Sequence, residues 1–335
     1  MPLQLYPLTF DPIYKDYVWG GERIGAMYQR NLRPGIYAES WEIACRAEGM
    51  SRVNAGSLAG VTLEELTQRA GARLTGTAVG PGPFPLIVKI LDVAQRISLQ
   101  VHPRVDDPHA EGEAKTELWY ALTGMGESRV FAGLKPGTTR AAFVEALQAK
   151  RIESVLQSFP VRAGDAFFIP GGRVHAADAG CLLLEVQLNS NTTFRLHDWD
   201  RLAAQGEARP LHLDQGLRAT NWEDTQSARL VPRLLGHEEG VERWGIVSCP
   251  HFQVEKVRLS GAWPCPADPR SFRILFVTTG GLIVQSGGAQ SGSAEVRLRA
   301  GQTCLLPAAL DARLRPAEDS GDPDVDRAEV LIVTR

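Results

Sequence analysis

The feature that most limits how this chain can fold is a pair of matching punctuation patterns. Ala163-Gly164-Asp165-Ala166-Phe167-Phe168-Ile169-Pro170 is echoed by Ala300-Gly301-Gln302-Thr303-Cys304-Leu305-Leu306-Pro307. Upstream, Leu118-Trp119-Tyr120-Ala121-Leu122-Thr123-Gly124 is echoed by Ile274-Leu275-Phe276-Val277-Thr278-Thr279-Gly280. Both copies read as a strand, a turn, further strands, then a glycine turn into an apolar strand closed by proline. Gly124 to Gly164 spans 40 positions and Gly280 to Gly301 spans 21, so the first copy holds 19 extra residues. A helix expected from about Thr139 to Ser158, with Phe143, Leu147, Val155 and Leu156 as its apolar positions, accounts for the excess. An all-β chain of two related barrels, the first carrying a helical insertion near 139–158, is the economical reading. It divides the chain into 1–234 and 235–335. A second helix opens at the capping box Thr62-Leu63-Glu64-Glu65 and stops at Gly71.

The copies differ where chemistry is concerned. Gln100 and His102 lie two apart in Ser98-Leu99-Gln100-Val101-His102-Pro103, so a strand places them on one face. Glu117 lies seven residues before Gly124, and His175 five after Pro170. Two imidazoles, a carboxylate and an amide from three separate strands are the signature of a borderline divalent metal in an open, catalytic site. Taken singly, each has a plain structural reading, because glutamines on strands mostly bond within cores and glutamates on strands mostly face water. In the second copy the corresponding positions hold Arg273 and Ala312, so that half is expected to bind no metal.

Bulk properties fit an enzyme of small substrates. The 335 residues carry a net charge of −3, so nothing suggests a nucleic acid or an anionic membrane as partner. The first residues show no basic stretch before an apolar core, and apolar runs such as Ile274-Leu275-Phe276-Val277 are of strand length. Cys45, Cys181, Cys249, Cys265 and Cys304 form no C-x-x-C pair, which reads as reduced thiols in a cytoplasmic protein. His109, His197, His212, His237 and His251 have no partner at ligand spacing and read as surface or packing histidines. Gly171-Gly172 reads as a turn aiming His175 inward, and Ser286 to Ser293 as a flexible hairpin connection.

Six stretches in order carry a family resemblance: Tyr17-Val18-Trp19-Gly20-Gly21, Glu39-Ser40-Trp41-Glu42-Ile43, Lys89-Ile90-Leu91-Asp92, Ser98 to Pro103, Lys115-Thr116-Glu117-Leu118-Trp119-Tyr120, and Ile169 to Ala176 continuing through Leu184-Glu185 to Asn191-Thr192-Thr193-Phe194-Arg195. In these the chain resembles the type I mannose-6-phosphate isomerases of the short bacterial form, in the cupin superfamily. The resemblance implies two cupin-type jelly-roll β-barrels and one zinc ion on Gln100, His102, Glu117 and His175, although iron, manganese or cobalt also suits such donors. It implies interconversion of mannose 6-phosphate and fructose 6-phosphate through an enediol. Arg195 then serves the enediolate or the sugar's reacting end, and Glu185 proton transfer or ligand positioning. Lys89, Lys115 and Ser98 line the pocket near phosphate, with Lys115 close enough to Glu117 for a part in proton transfer. A lysine inside Pro85-Leu86-Ile87-Val88-Lys89-Ile90-Leu91 is costly to bury without an anion. The general base and the oligomeric state stay open. A cupin oxygenase using iron and a non-catalytic sugar-binding cupin are the alternatives, since fold alone does not imply function.

Overall fold

The computed structural model describes residues 3–202, 206–288, 291–317 and 327–335. The chain is mainly β, with a few short helices. It clusters into two compact units, and the division is not a single cut. A central unit comprises residues 14–41 and 87–230. A terminal unit joins residues 1–13 and 42–86 to 231–335.

In the central unit a seven-stranded sheet runs in the order Ile13–Lys15, Glu39–Ile43, Leu86–Asp92, Leu182–Leu188, Glu117–Thr123, Ala166–Ile169, Arg229–Leu230. A five-stranded sheet runs Phe194–His197, Leu99–Val101, His175–Ala177, Arg129–Leu134, Leu156–Pro160. Leu99, Val101, Val130 and Ala176 from the smaller sheet share one apolar cluster with Leu91, Trp119, Phe167 and Leu183 from the larger. That shared burial holds the sheets face to face, at roughly 1.5–3 kcal/mol for each large side chain withdrawn from water. Pairing is antiparallel, with Glu117 opposite Ile169 and Trp119 opposite Phe167.

The terminal unit repeats the plan. Its six-stranded sheet includes Arg273–Thr279, Thr303–Leu306 and Ala328–Thr334, and its four-stranded sheet runs Trp263–Cys265, Ala312–Pro316, Gly281–Gly288, Ser291–Arg299. Here Arg273 stands opposite Leu306 and Leu275 opposite Cys304. Among the described residues no sheet closes on itself, so the sheets run between edge strands rather than forming a continuous cylinder.

Two local expectations change. The insertion helix is shorter than 139–158. Thr139 caps it, accepting from the Ala142 amide at 3.1 Å, and it spans Arg140–Gln148. Lys150 then takes a left-handed φ of 54°, which ends the helix. A 3-10 turn at Ile152–Val155 follows, and Leu156 enters a strand paired with Arg129–Leu134 because its side chain belongs to the sheet's core. The stretch from Ser286 is likewise no loose connection, since the flanking strands continue into it with Ser286 opposite Ala294; residues 289–290 lie outside the described residues. The capping box is present, with Thr62 and Glu65 bonding each other's amides at 3.1 and 2.9 Å, and the helix gives way at Gly71. All five cysteines are free thiols, and among the described residues no helix is long and apolar enough to cross a membrane.

Candidate metal centre and substrate pocket

Two facing sheets bring the candidate ligands together. His175 opens its strand with its Cα paired to Gln100, and Gln100 is paired on its other side to Arg195. His102 follows directly after the Leu99–Val101 strand, and Glu117 opens a strand of the larger sheet. Glycine makes the approach to His175 possible. A Cβ on Gly171 would lie 2.4 Å from the Pro103 carbonyl oxygen, and Gly172 has a φ of 87°.

The donor atoms converge. Glu117 Oε1 lies 3.2 Å from His175 Nε2, and Glu117 Oε2 lies 3.5 Å from His102 Nε2. One ligand atom from each of the three falls within 4.8 Å of the others, and all three side chains are buried. The Gln100 amide stands 3.2 Å from His175 Nε2. Its other end meets the Ser98 hydroxyl at 3.3 Å. A hydroxyl accepts as readily as it donates, so a half-turn of the amide presents its oxygen inward and keeps the serine bond.

Carbonyl oxygens behind the imidazoles decide what the front of the site can hold. His102 Nδ1 lies 2.9 Å from the Thr192 carbonyl, and His175 Nδ1 lies 2.9 Å from the Arg173 carbonyl. A carbonyl only accepts, so each Nδ1 carries the proton and each Nε2 turns a lone pair toward Glu117. Burial, helped by the Lys115 charge, pushes His102 down to about 3, so its ring is neutral. Burial would raise the Glu117 carboxyl, but Lys115 and the imidazoles outweigh it and hold it well below the usual range. His102 Nε2 and Glu117 Oε1 are buried and make no hydrogen bond. Buried acceptors facing one another with no donor between them are costly, and a cation relieves the cost. The residues present therefore fit a divalent metal, with the carbonyls fixing both imidazoles for it.

Beside this group runs an alternating chain of charges. Lys115 Nζ lies 2.8 Å from Glu117 and 4.0 Å from Glu185; Lys89 Nζ lies 3.1 Å from Glu185 and 3.5 Å from Glu39. Trp119 donates its indole N–H to Glu185 Oε2 at 2.8 Å, and Trp41 donates to Glu39 Oε2 at 2.6 Å. Burial would push the Lys89 ammonium down, but Glu39 and Glu185 outweigh it and hold the charge firmly. The anion expected beside buried Lys89 is thus partly supplied by the protein.

Glu39, Lys89, Lys115, Trp119 and Glu185 line a cavity of about 430 Å3 together with Ser98, Gln100, Arg195 and Arg209, within the usual size range of ligand pockets. All the residues singled out from the sequence meet in or beside it. Sequence reading missed Glu39, Trp41, Trp119 and Arg209 as functional positions. The first two alternate within Glu39-Ser40-Trp41 and so share a face, a signal that was present; Arg209 lies in an aperiodic loop and offered none. The remaining histidines take packing or surface roles. His197 packs edge-on to Trp199, His212 Nδ1 accepts from the Arg195 amide at 3.1 Å, and exposed His237 pairs with Glu242.

The sequence matches the family described as phosphomannose isomerase type I, catalytic domain, over residues 8–132. It is 33% identical over 310 residues to the mannose-6-phosphate isomerase ManA of Bacillus subtilis, covering 91% of this chain and 94% of that one. To the mannose-6-phosphate isomerase of Streptococcus mutans it is 33% identical over 260 residues, covering 76% and 80%. The crystal structure of the mannose 6-phosphate isomerase from Bacillus subtilis superposes with a TM-score of 0.84 at 26% identity, covering 98% of this chain and 99% of that one. The Salmonella typhimurium enzyme, at 15% identity and a TM-score of 0.69 over 98% and 99%, shares the fold.

Proposed function

The chain belongs to the type I phosphomannose isomerase family and is an isomerase of that kind, and on this footing we propose that it interconverts mannose 6-phosphate and fructose 6-phosphate in the cytoplasm through an enediol. One zinc ion is held by Gln100, His102, Glu117 and His175, and the two facing sheets of each unit form a cupin-type jelly roll. The observation that carries the reading is the convergence of buried His102, Glu117 and His175, with His102 Nε2 and Glu117 Oε1 left without a hydrogen bond, beside a pocket lined by Gln100, Lys89, Lys115, Arg195 and Arg209.

Bound there, the metal supplies positive charge to the sugar's carbonyl and hydroxyl oxygens. The remaining work falls to the chain's own residues. Arg195, directly opposite Gln100 on the neighbouring strand, is placed to hold the reacting end of the sugar where negative charge develops. Glu185 has one oxygen taken by Trp119 and the other by Lys89, so it suits positioning better than taking up a proton. Lys115 bridges Glu117 and Glu185 and can reach a sugar oxygen beside the ligands. Lys89 and Ser98 complete the substrate wall, where a contact to phosphate is read for both. The tryptophans exclude water from this side and aim the carboxylates.

Metal analysis together with a coupled assay for fructose 6-phosphate tests the reading. One zinc per chain and turnover that is lost on chelation and regained with zinc are expected. A protein that turns over mannose 6-phosphate equally well after complete metal removal would sink it.

A further inference from the structure

The substrate proposed above carries a phosphate dianion that takes no part in the chemistry yet must be neutralised when it enters the pocket. Resting on that isomerase reading, we propose that Arg209 is the phosphate-recognising residue of this site and sets the preference for phosphorylated sugar, with Arg195 beside it.

The charge balance along the pocket points there. The lysines expected to serve phosphate already have carboxylate partners, and the chain Glu117, Lys115, Glu185, Lys89, Glu39 holds more carboxylates than ammonium groups. A divalent metal leaves that region with only a small positive excess, less than a dianion requires. The loop after Phe194–His197 is different. Arg201 Nη2 donates to Asp198 at 2.6 Å, and Arg209 grips the same carboxylate through Nε at 2.8 Å and Nη2 at 2.5 Å. Arg195 makes no ion pair among the described residues. Its Nη1 donates to the Pro210 carbonyl at 2.8 Å, and its Nε is buried without an acceptor. Two guanidinium groups therefore share one carboxylate, and the Arg195 guanidinium lies within reach of their charge. Gathering like charges costs energy that an incoming anion returns.

Geometry then separates the three. Arg195 and Arg209 line the cavity, whereas Arg201 is turned to Asp198 and to the Arg96 carbonyl at 2.9 Å. Arg195 stands opposite Gln100 and so belongs beside the ligands. Arg209 is what remains for the far group of the sugar. Asp198 fixes two of its nitrogens, which orients the planar fork and leaves Nη1 for a phosphate oxygen.

The test compares wild type with Arg209→Ala and Arg209→Gln, using mannose 6-phosphate in steady-state assays and inorganic phosphate in calorimetric titrations of the metal-free protein. Loss of a charge-assisted contact predicts a rise in KM of roughly ten- to a hundredfold with kcat changed only a few-fold, and a matching loss of phosphate affinity. The glutamine variant keeps a hydrogen-bonding end for Asp198 and gives the same reading if the alanine variant does not fold. Unaltered KM and unaltered phosphate affinity in either folded variant overturn the assignment, as does a fall in kcat at constant KM. If wild type makes no fructose 6-phosphate, the isomerase reading has failed instead, and the phosphate titration still decides whether Arg209 binds the anion.

Discussion

Glu117 and Arg273 occupy the same register position in the two units, each standing opposite the residue that precedes a strand-closing proline. The equivalence extends around the whole site. His175 is paired with Gln100 in one unit, and Ala312 is paired with Cys265 in the other. Ala267, two residues beyond Cys265, matches His102. His102, Glu117 and His175 thus have non-ligating counterparts, Gln100 is matched by the thiol of Cys265, and the carboxylate is replaced by a cation. Arg273 is buried and donates to the carbonyls of Pro266, Pro307 and Leu310, the last at 2.9 Å. Its guanidinium supplies, within the chain, positive charge at the position where the other unit has the carboxylate of its candidate metal site.

Arg273→Leu should therefore unfold the terminal unit more easily, because buried and part-buried carbonyls lose their donor together. A cost of about 3 kcal/mol or more is expected from orphaned buried acceptors. Urea titration reads it as a lower midpoint, and metal analysis of this variant should still find one equivalent per chain. A variant as stable as wild type would show that the carbonyls find other partners.

Loss of the imidazoles should remove the metal itself. His102→Ala and His175→Ala are each expected to lose bound metal and activity together, whereas Gln100→Ala should be milder, since a neutral amide is the weakest donor of the four. Elemental analysis after dialysis against a chelator decides it. Stoichiometric metal in the double histidine variant is the outcome that would remove these ligands from the reading.

Much of this was readable beforehand because strand periodicity and glycine–proline punctuation are local signals. They gave away the repeat, the paired placement of Gln100 with His102, and the register match of Arg273 with Glu117. What stayed hidden depends on contacts distant in sequence. The insertion helix stops early because Leu156 is claimed by the sheet, which no helical period reveals. Residues 42–86 join the terminal unit although they precede the ligands in sequence. The tie between Lys89 and both Glu39 and Glu185 spans strands far apart in the chain, and Arg209 enters the pocket from an aperiodic loop.

Asp198 gives the arginine cluster a measurable pH dependence. Burial would raise its carboxyl, but hydrogen bonds from Arg209 and Arg201 outweigh burial and hold it below the usual aspartate value. A depressed folded value stabilises the protein above the unfolded aspartate range, near pH 4, and that contribution disappears as pH falls through the folded value. Asp198→Asn should thus cost about 1–3 kcal/mol at neutral pH, a penalty that shrinks below about pH 4. Chemical denaturation of both proteins from pH 3 to 8 gives the comparison. A penalty that stays constant with pH would mean the carboxylate charge is not what holds the loop.

Arg195 and Lys89 should separate kinetically although both line the cavity. Arg195 neighbours the candidate ligand Gln100 and pairs with no carboxylate among the described residues, so its charge is available for oxygens that become negative during proton transfer. An interaction made only in the transition state lowers kcat and kcat/KM together. Arg195→Ala should depress kcat by roughly a hundredfold or more, the scale for removing one oxyanion donor. Lys89 is held between buried Glu185 and part-buried Glu39, so its first duty is to keep both carboxylates in place. Removing it takes the nearest cation from both, and Lys89→Ala should cost up to about 3 kcal/mol of stability besides raising KM. Kinetics with mannose 6-phosphate and with mannose, combined with urea titrations, distinguish the two. A purely KM effect in Arg195→Ala would move that arginine away from the reacting end, and an unchanged urea midpoint in Lys89→Ala would show that the ion-paired chain is not what fixes the pocket floor.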